Sequence, residues 1–210
     1  WATLSSPSSP LGPAALVTLS GSGQDTNSPV RPLTYAWTQT AGTPTVTLTN
    51  ANTTAPTFTA PTLNNGATPS QLTFQLKVSN GVPALDATAT TTVTVNAPAV
   101  VAPTANAGTA QTVGPAALVT LNGSGQDTNS PVRPLTYQWT QTAGTPTVTL
   151  TNANTAAPTF TAPTLNNGAD PSTLTFQLRV SNGVPALDAT ATTTVTVNAP
   201  AFVAPTANAG

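Results

Sequence analysis

The sequence predicts an all-β chain built as two tandem antiparallel β-sandwiches. Three observations carry this reading: an internal repeat, an apolar residue at every second position of short runs, and the lack of any 3.6-residue apolar period. The segment from Gly12 to Gly108 recurs from Gly114 to Gly210 at a constant offset of 102. Seven positions differ between the copies: Ser20/Asn122, Ala36/Gln138, Thr54/Ala156, Thr68/Asp170, Gln71/Thr173, Lys77/Arg179 and Val100/Phe202. Each copy is about 100 residues, the size of one sandwich domain. The 22 Pro and 14 Gly residues interrupt the chain too often for a long helix.

The elements of the second copy follow in order. Val119 and Leu121 alternate before the turn GSGQDTNSP, and Leu135, Tyr137 and Trp139 alternate in LTYQWTQ. Val148 and Leu150 alternate in TVTLTN, and Phe160 centres APTFTAP. Leu174, Phe176, Leu178 and Val180 alternate in LTFQLRVSNG, and Val195 and Val197 close the copy. These runs predict six strands per copy, each with one apolar face, and a seventh upstream. Thr fills most intervening positions because its β-branched side chain suits a pleated strand without carrying charge. The predicted core anchors are Tyr35, Trp37 and Phe74 in the first copy and Tyr137, Trp139 and Phe176 in the second. Such regular alternation also argues against disorder, which the Thr, Pro, Ala and Gly content alone would suggest.

The two ends of the repeat do not match. The second copy is preceded by VAPTANAGTAQTV, from Val101 to Val113, which reads as its first strand. The corresponding WATLSSPSSPL, residues 1–11, is rich in Ser and Pro and shares no residue with it, whereas Val203–Gly210 repeats Val101–Gly108 without change. The expected organisation is therefore an extension at 1–11, a first sandwich at 12–100 lacking its own first strand, a second at 101–202, and a tail at 203–210. Two readings of the tail stand side by side. Val203, Ala204, Pro205, Thr206, Ala207, Asn208, Ala209 and Gly210 either donate a strand to the edge at Leu16, Val17, Thr18 and Leu19 of another copy, or begin a third repeat. Eight extended residues reach about 26 Å, enough for a strand.

Composition closes off several function classes. Four basic and five acidic residues make 4% of the chain charged, too few cations to neutralise nucleic-acid phosphates. No run approaches the roughly 20 apolar residues of a membrane-spanning helix. His and Cys are absent, so neither a His-based triad nor a Cys nucleophile exists, and the chain is expected to be no enzyme. The five Asp residues suit turn and capping roles. Calcium is the one candidate cofactor. Its ligands would be Asp25 and Asn27, or Asp127 and Asn129, in QDTNSP, which is little charge for an ion that takes six to eight oxygens. A shared Lys–Asn crosslink is ruled out because Lys77 becomes Arg179 in the second copy.

At LTYAWTQTAG and LTYQWTQTAG, followed by LTFQLKVSNG or LTFQLRVSNG and TTTVTVN, the chain resembles the PKD-like repeats of extracellular surface proteins, within the wider immunoglobulin-like group. The resemblance covers nearly all of both copies and implies tandem immunoglobulin-like sandwiches in a secreted or cell-surface setting. It departs from the pattern in two places: the acidic loop is reduced to QDTNSP, and the familiar Asp-Gly after the Leu-Phe strand is Asn80-Gly81 or Asn182-Gly183. Both departures weaken an inherited calcium role. The expected function is a structural subunit of an extracellular fibre, filament or stalk whose partners are copies of itself, joined head to tail. The rival is an adhesin or spacer module of a large surface protein that binds a glycan or a protein.

Overall fold

Alternation sets the longest strands. In the computed structural model, Ser172–Ser181 forms one continuous strand whose Leu174, Phe176, Leu178 and Val180 are buried while Arg179 between them is exposed. Its twin in the first repeat, Ser70–Ser79, buries Leu72, Phe74, Leu76 and Val78 in the same manner. The structure describes the main chain of residues 2–5 and all of residues 11–208. The chain divides into two units, Trp1–Val100 and Val101–Gly210, each with its own core.

In the first unit the strands are β1 (Ala2–Ser5), β2 (Leu16–Thr18), β3 (Ser20–Gly23), β4 (Thr34–Ala41), β5 (Thr57–Thr59), β6 (Ser70–Ser79) and β7 (Ala87–Val95). One antiparallel sheet runs β4–β6–β7; opposite it, β1 pairs with β3 and β2 with β5. In the second unit they are β8 (Thr104–Asn106), β9 (Gln111–Val113), β10 (Leu118–Thr120), β11 (Ser124–Gln126), β12 (Thr136–Ala143), β13 (Thr159–Thr161), β14 (Ser172–Ser181) and β15 (Ala189–Val197). The order β12–β14–β15–β9 faces the pairs β8–β11 and β10–β13, and β9 runs parallel to β15. The only helical elements among the described residues are two short 3-10 turns, Pro83–Leu85 and Pro185–Leu187.

The expected core anchors divide by residue type. Trp37, Phe74, Trp139 and Phe176 are buried, and Tyr35 and Tyr137 pack half-buried against the same clusters. In each unit a tilted aromatic pair lies at the centre, Phe58 with Phe74 and Phe160 with Phe176, both at 4.9 Å between ring centroids.

Two expectations need correction. TVTLTN forms no strand in either unit; Val46, Leu48, Val148 and Leu150 pack half-buried, and the ladder there shrinks to the bridges Thr49–Thr57 and Thr151–Thr159. The first unit, moreover, does have a first strand of its own. Residues of the Ser/Pro-rich extension pair with β3 from Ala2 opposite Gly23 to Ser5 opposite Ser20, and Leu11 forms a parallel bridge to Val95 as β9 does to Val197. A ladder uses main-chain groups, so it requires no residue in common with VAPTANAG. The register reveals the substitution: Ala105 stands opposite Gly125, and the 102 offset would put Thr3 opposite Gly23, but Ala2 stands there.

A close backbone approach shapes the turn after β12. Gly144 has φ +91°, and a Cβ there would lie 2.3 Å from the Thr173 carbonyl oxygen, so only glycine fits. Gln141 braces the same turn, its Nε2 donating to the Gly144 carbonyl at 3.0 Å and its Oε1 accepting from the Val148 N–H at 2.8 Å.

Candidate functional site

A polar network in the second unit lies where the loop after β11, the turn after β14 and the residues ahead of β8 converge. Asp127 follows β11 and Asn182 follows β14, so two strand ends set the distance between them. One Asp127 carboxylate oxygen accepts from Asn129 Nδ2 at 2.5 Å and from Asn182 Nδ2 at 2.9 Å. The other accepts from the Arg133 N–H at 2.7 Å and the Asn129 N–H at 3.3 Å. The two Asn side chains then turn to a third segment. Asn129 Oδ1 accepts from the Val101 N–H at 2.8 Å, its Nδ2 donates to the Val101 carbonyl at 2.9 Å, and Asn182 Nδ2 reaches that carbonyl at 3.0 Å.

This arrangement is a cradle for main chain. A side-chain amide that both accepts from a residue's N–H and donates to its carbonyl reads an extended backbone as a neighbouring strand would. Asp127 holds the amides in place. Burial pushes its carboxyl up, but the hydrogen bonds from Arg133, Asn182 and Asn129 outweigh this and hold its pKa at about 2. Past Val101, Pro103 is buried and Thr104–Asn106 continues into β8.

The first unit repeats these residues in a different state. Asp25 accepts from the Arg31 N–H at 2.7 Å, from Asn80 Nδ2 at 3.2 Å and from Asn27 Nδ2. The Arg31 N–H, foremost among these, lowers the Asp25 carboxyl below its ordinary range. Asn129 and Asn182 are 2% and 3% exposed, whereas Asn27 is exposed and Asn80 half-buried. Leu85 is 65% exposed where its twin Leu187 is half-buried. Beside them opens a cavity of about 170 Å³, lined by Asp25, Asn27, Asn80, Leu33, Val78 and Leu85 among others.

The residues named as calcium candidates do come together, with a chemistry unlike an ion site. Asp25 with Asn27, and Asp127 with Asn129, are joined by N–H donors that point at the carboxylate, and Asn129 Oδ1 is engaged by Val101. A cation there would have to displace those donors. Among the described residues, no three of His, Cys, Asp and Glu gather into a metal-binding group. Asp86 and Asp188, read as turn residues, each gain a partner. Lys77 Nζ lies 2.7 Å from Asp86, and Arg179 Nε donates to Asp188 at 2.6 Å.

The expected polymerisation residues are placed as follows. Leu16–Thr18 is β2 and already pairs with β5, Val17 and Leu19 are core residues, and the Leu16 side chain is 72% exposed. Val203–Asn208 is exposed and lies outside every strand, while Ala209 and Gly210 fall outside the described residues. The cradle was missed by the sequence reading, although a signal for it existed. Asn80 and Asn182, noted only as departures from Asp, supply the amides that turn a lone carboxylate into a main-chain receptor.

Residues 11–96 and 107–198 both match the family model described as K319L-like, PKD domain. The chain belongs to this PKD family. Its two PKD repeats are all-β immunoglobulin-like sandwiches, as the alternation predicted. Among solved structures, the chain is similar to the PKD domain from the KIAA 1837 protein at 23% identity, over 49% of this chain and 92% of that one, with a TM-score of 0.36. It is similar to the PKD domain of human KIAA0319 at 19% identity, over 52% and 91%, with a TM-score of 0.35. The titin domains Z1Z2, solved in complex with telethonin, align at 14% identity over 96% of this chain and 98% of that one, with a TM-score of 0.48. A search of curated proteins finds none that matches. Among the described residues, no helix is long and apolar enough to cross a membrane.

Proposed function

We propose that this tandem PKD chain is a non-catalytic structural unit of an extracellular fibre or stalk, joined lengthwise to further copies by its C-terminal tail. One observation carries the reading. The sequence VAPTAN occurs twice: at Val101–Asn106 it is gripped by Asn129 and Asn182 and pairs as β8, whereas at Val203–Asn208 it is exposed outside every strand. A segment with a docking mode already realised in the same molecule is a natural joint between molecules.

The rest of the chain suits a load-bearing spacer. The surface is nearly neutral, with 4% charged residues, which limits repulsion between stacked units. Sedimentation of the full chain and of a chain lacking residues 203–210 tests the joint. The full chain should form concentration-dependent polymers and the shortened one should stay monomeric; polymers of unchanged length from the shortened chain would defeat the reading.

The adhesin alternative has one observation in its favour. A surface cavity of about 410 Å³ in the second repeat is lined by Tyr137, Gln138, Asn154 and Arg179, among others. Gln138 and Arg179 stand opposite each other in the β12–β14 ladder and replace Ala36 and Lys77 of the first repeat. Saturable binding on a glycan array by the monomeric chain, abolished by Arg179→Lys with Gln138→Ala, would favour that reading.

A further inference from the structure

We infer that the Asp25–Asn27–Asn80 cradle of the first repeat is a binding site for extended main chain, and that its ligand is Val203–Pro205 of a second copy. This inference rests on the head-to-tail reading and names its receiving site, which lies at the cradle and not at the Leu16–Leu19 edge. The two repeats of the molecule supply their own comparison. Asp25, Asn27, Arg31, Asn80 and Leu85 are the same residue types as Asp127, Asn129, Arg133, Asn182 and Leu187, each 102 positions on. In the second repeat this set closes around Val101, with three hydrogen bonds to one residue's N–H and carbonyl. In the first, the amides are more exposed and the apolar wall at Leu33, Val78 and Leu85 borders an open cavity of about 170 Å³.

The ligand follows from the same comparison. Val101-Ala102-Pro103 occupies the second cradle, and Pro103 is buried there. Val203-Ala204-Pro205 is its only other occurrence in the chain, and Val203 is 84% exposed. Docked in the same way, the Val203 N–H would donate to Asn27 Oδ1, its carbonyl would accept from Asn27 and Asn80 Nδ2, and Pro205 would enter the cavity against Leu33 and Leu85. The anchor occupies positions ahead of the first strand, since Ala2 pairs with Gly23 just as Ala105 pairs with Gly125. Competition with β1 for β3 therefore begins only at Ala207, which would stand opposite Gly23.

The probe is a labelled peptide of residues 201–208, AFVAPTAN, titrated into the full chain at a concentration where the chain is monomeric and followed by amide chemical shifts. Saturable binding at one site, with shifts at Asn27, Asn80 and Leu85, is expected. A peptide of scrambled order should not bind. Asn27 is exposed and Asn80 half-buried, so Asn27→Ala with Asn80→Ala should leave the fold in place, checked by the shift dispersion, and weaken the peptide at least about tenfold, the loss expected for two or three hydrogen bonds. Leu85→Asn should weaken it too. No binding, or binding unchanged by these variants, overturns the inference even if tail-dependent polymers form. Native material that runs as one covalent array on a denaturing gel overturns the choice of a second copy as donor. Peptide binding at the cradle by a chain that never polymerises would leave the site standing and sink the fibre reading.

Discussion

The same substitution made 102 residues apart should have very unequal consequences. Asn129→Ala removes two hydrogen bonds to the Val101 main chain, at 2.8 and 2.9 Å, from a side chain that is 2% exposed. A net contribution of about 1 kcal/mol for each bond, and a further ~1 kcal/mol for a part-buried Val101 N–H left without its acceptor, sum to roughly 2–3 kcal/mol. For a domain of about 100 residues that lowers the melting temperature by roughly 10–20 °C. Asn27→Ala alters an exposed side chain whose bond is to Asp25, and a surface change of this kind costs about 0.5 kcal/mol or less. Scanning calorimetry on the monomeric chain reads both, because lowering one repeat separates two nearly coincident transitions. Equal shifts for the two substitutions, or a loss under about 1 kcal/mol at Asn129, would refute the claim that the second cradle holds Val101 while the first holds no such segment among the described residues.

Three further outcomes follow from the geometry. Phe176→Ala removes a fully buried ring 4.9 Å from Phe160 and should cost the second repeat about 3–5 kcal/mol in urea denaturation, with the first repeat unmoved; a loss under about 1.5 kcal/mol would contradict its place at the centre of the core. Gly144→Ala places a Cβ 2.3 Å from the Thr173 carbonyl oxygen at φ +91° and should destabilise far more than Gly183→Ala, where φ is +85° but nothing lies within 4 Å; the latter should cost about 1–2 kcal/mol, the left-handed backbone alone, and equal costs would refute the close approach. The Asp127 carboxyl is held at about 2, below its ordinary 3.8, so its stabilising contribution is complete above pH 3.8, shrinks as pH falls and is gone below about 2. Melting of the second repeat between pH 5 and pH 2 should fall less steeply in Asp127→Asn than in the native chain, and parallel curves would contradict the network.

The fold was legible because its signal is repeated and local. Leu174, Phe176, Leu178 and Val180 alternate over a strand long enough to leave no second reading, and the offset of 102 doubles every such run. What escaped was carried by main chain. Ala2–Ser5 completes the first repeat with none of the residues of VAPTANAG, since a ladder of N–H and carbonyl groups leaves no mark on side-chain identity. Val148 and Leu150 have the strand pattern but remain half-buried beside a single bridge, so alternation without cross-strand partners overstated that element. At the site, the spacing of Asp127 and Asn129 makes them neighbours and suggests only weak ion ligands. The deciding group was Asn182, 55 residues away, whose amide donates where a carboxylate would have repelled Asp127.

A cryo-electron-microscopy map of the assembled native material, resolved well enough to trace main chain, tests the central claim most directly. The account predicts an extended segment carrying Val203–Pro205 of a neighbouring copy lying against Asn27 and Asn80 of each first repeat. A map of lengthwise copies with that cradle vacant, or joined through the Leu16–Thr18 edge, would contradict it.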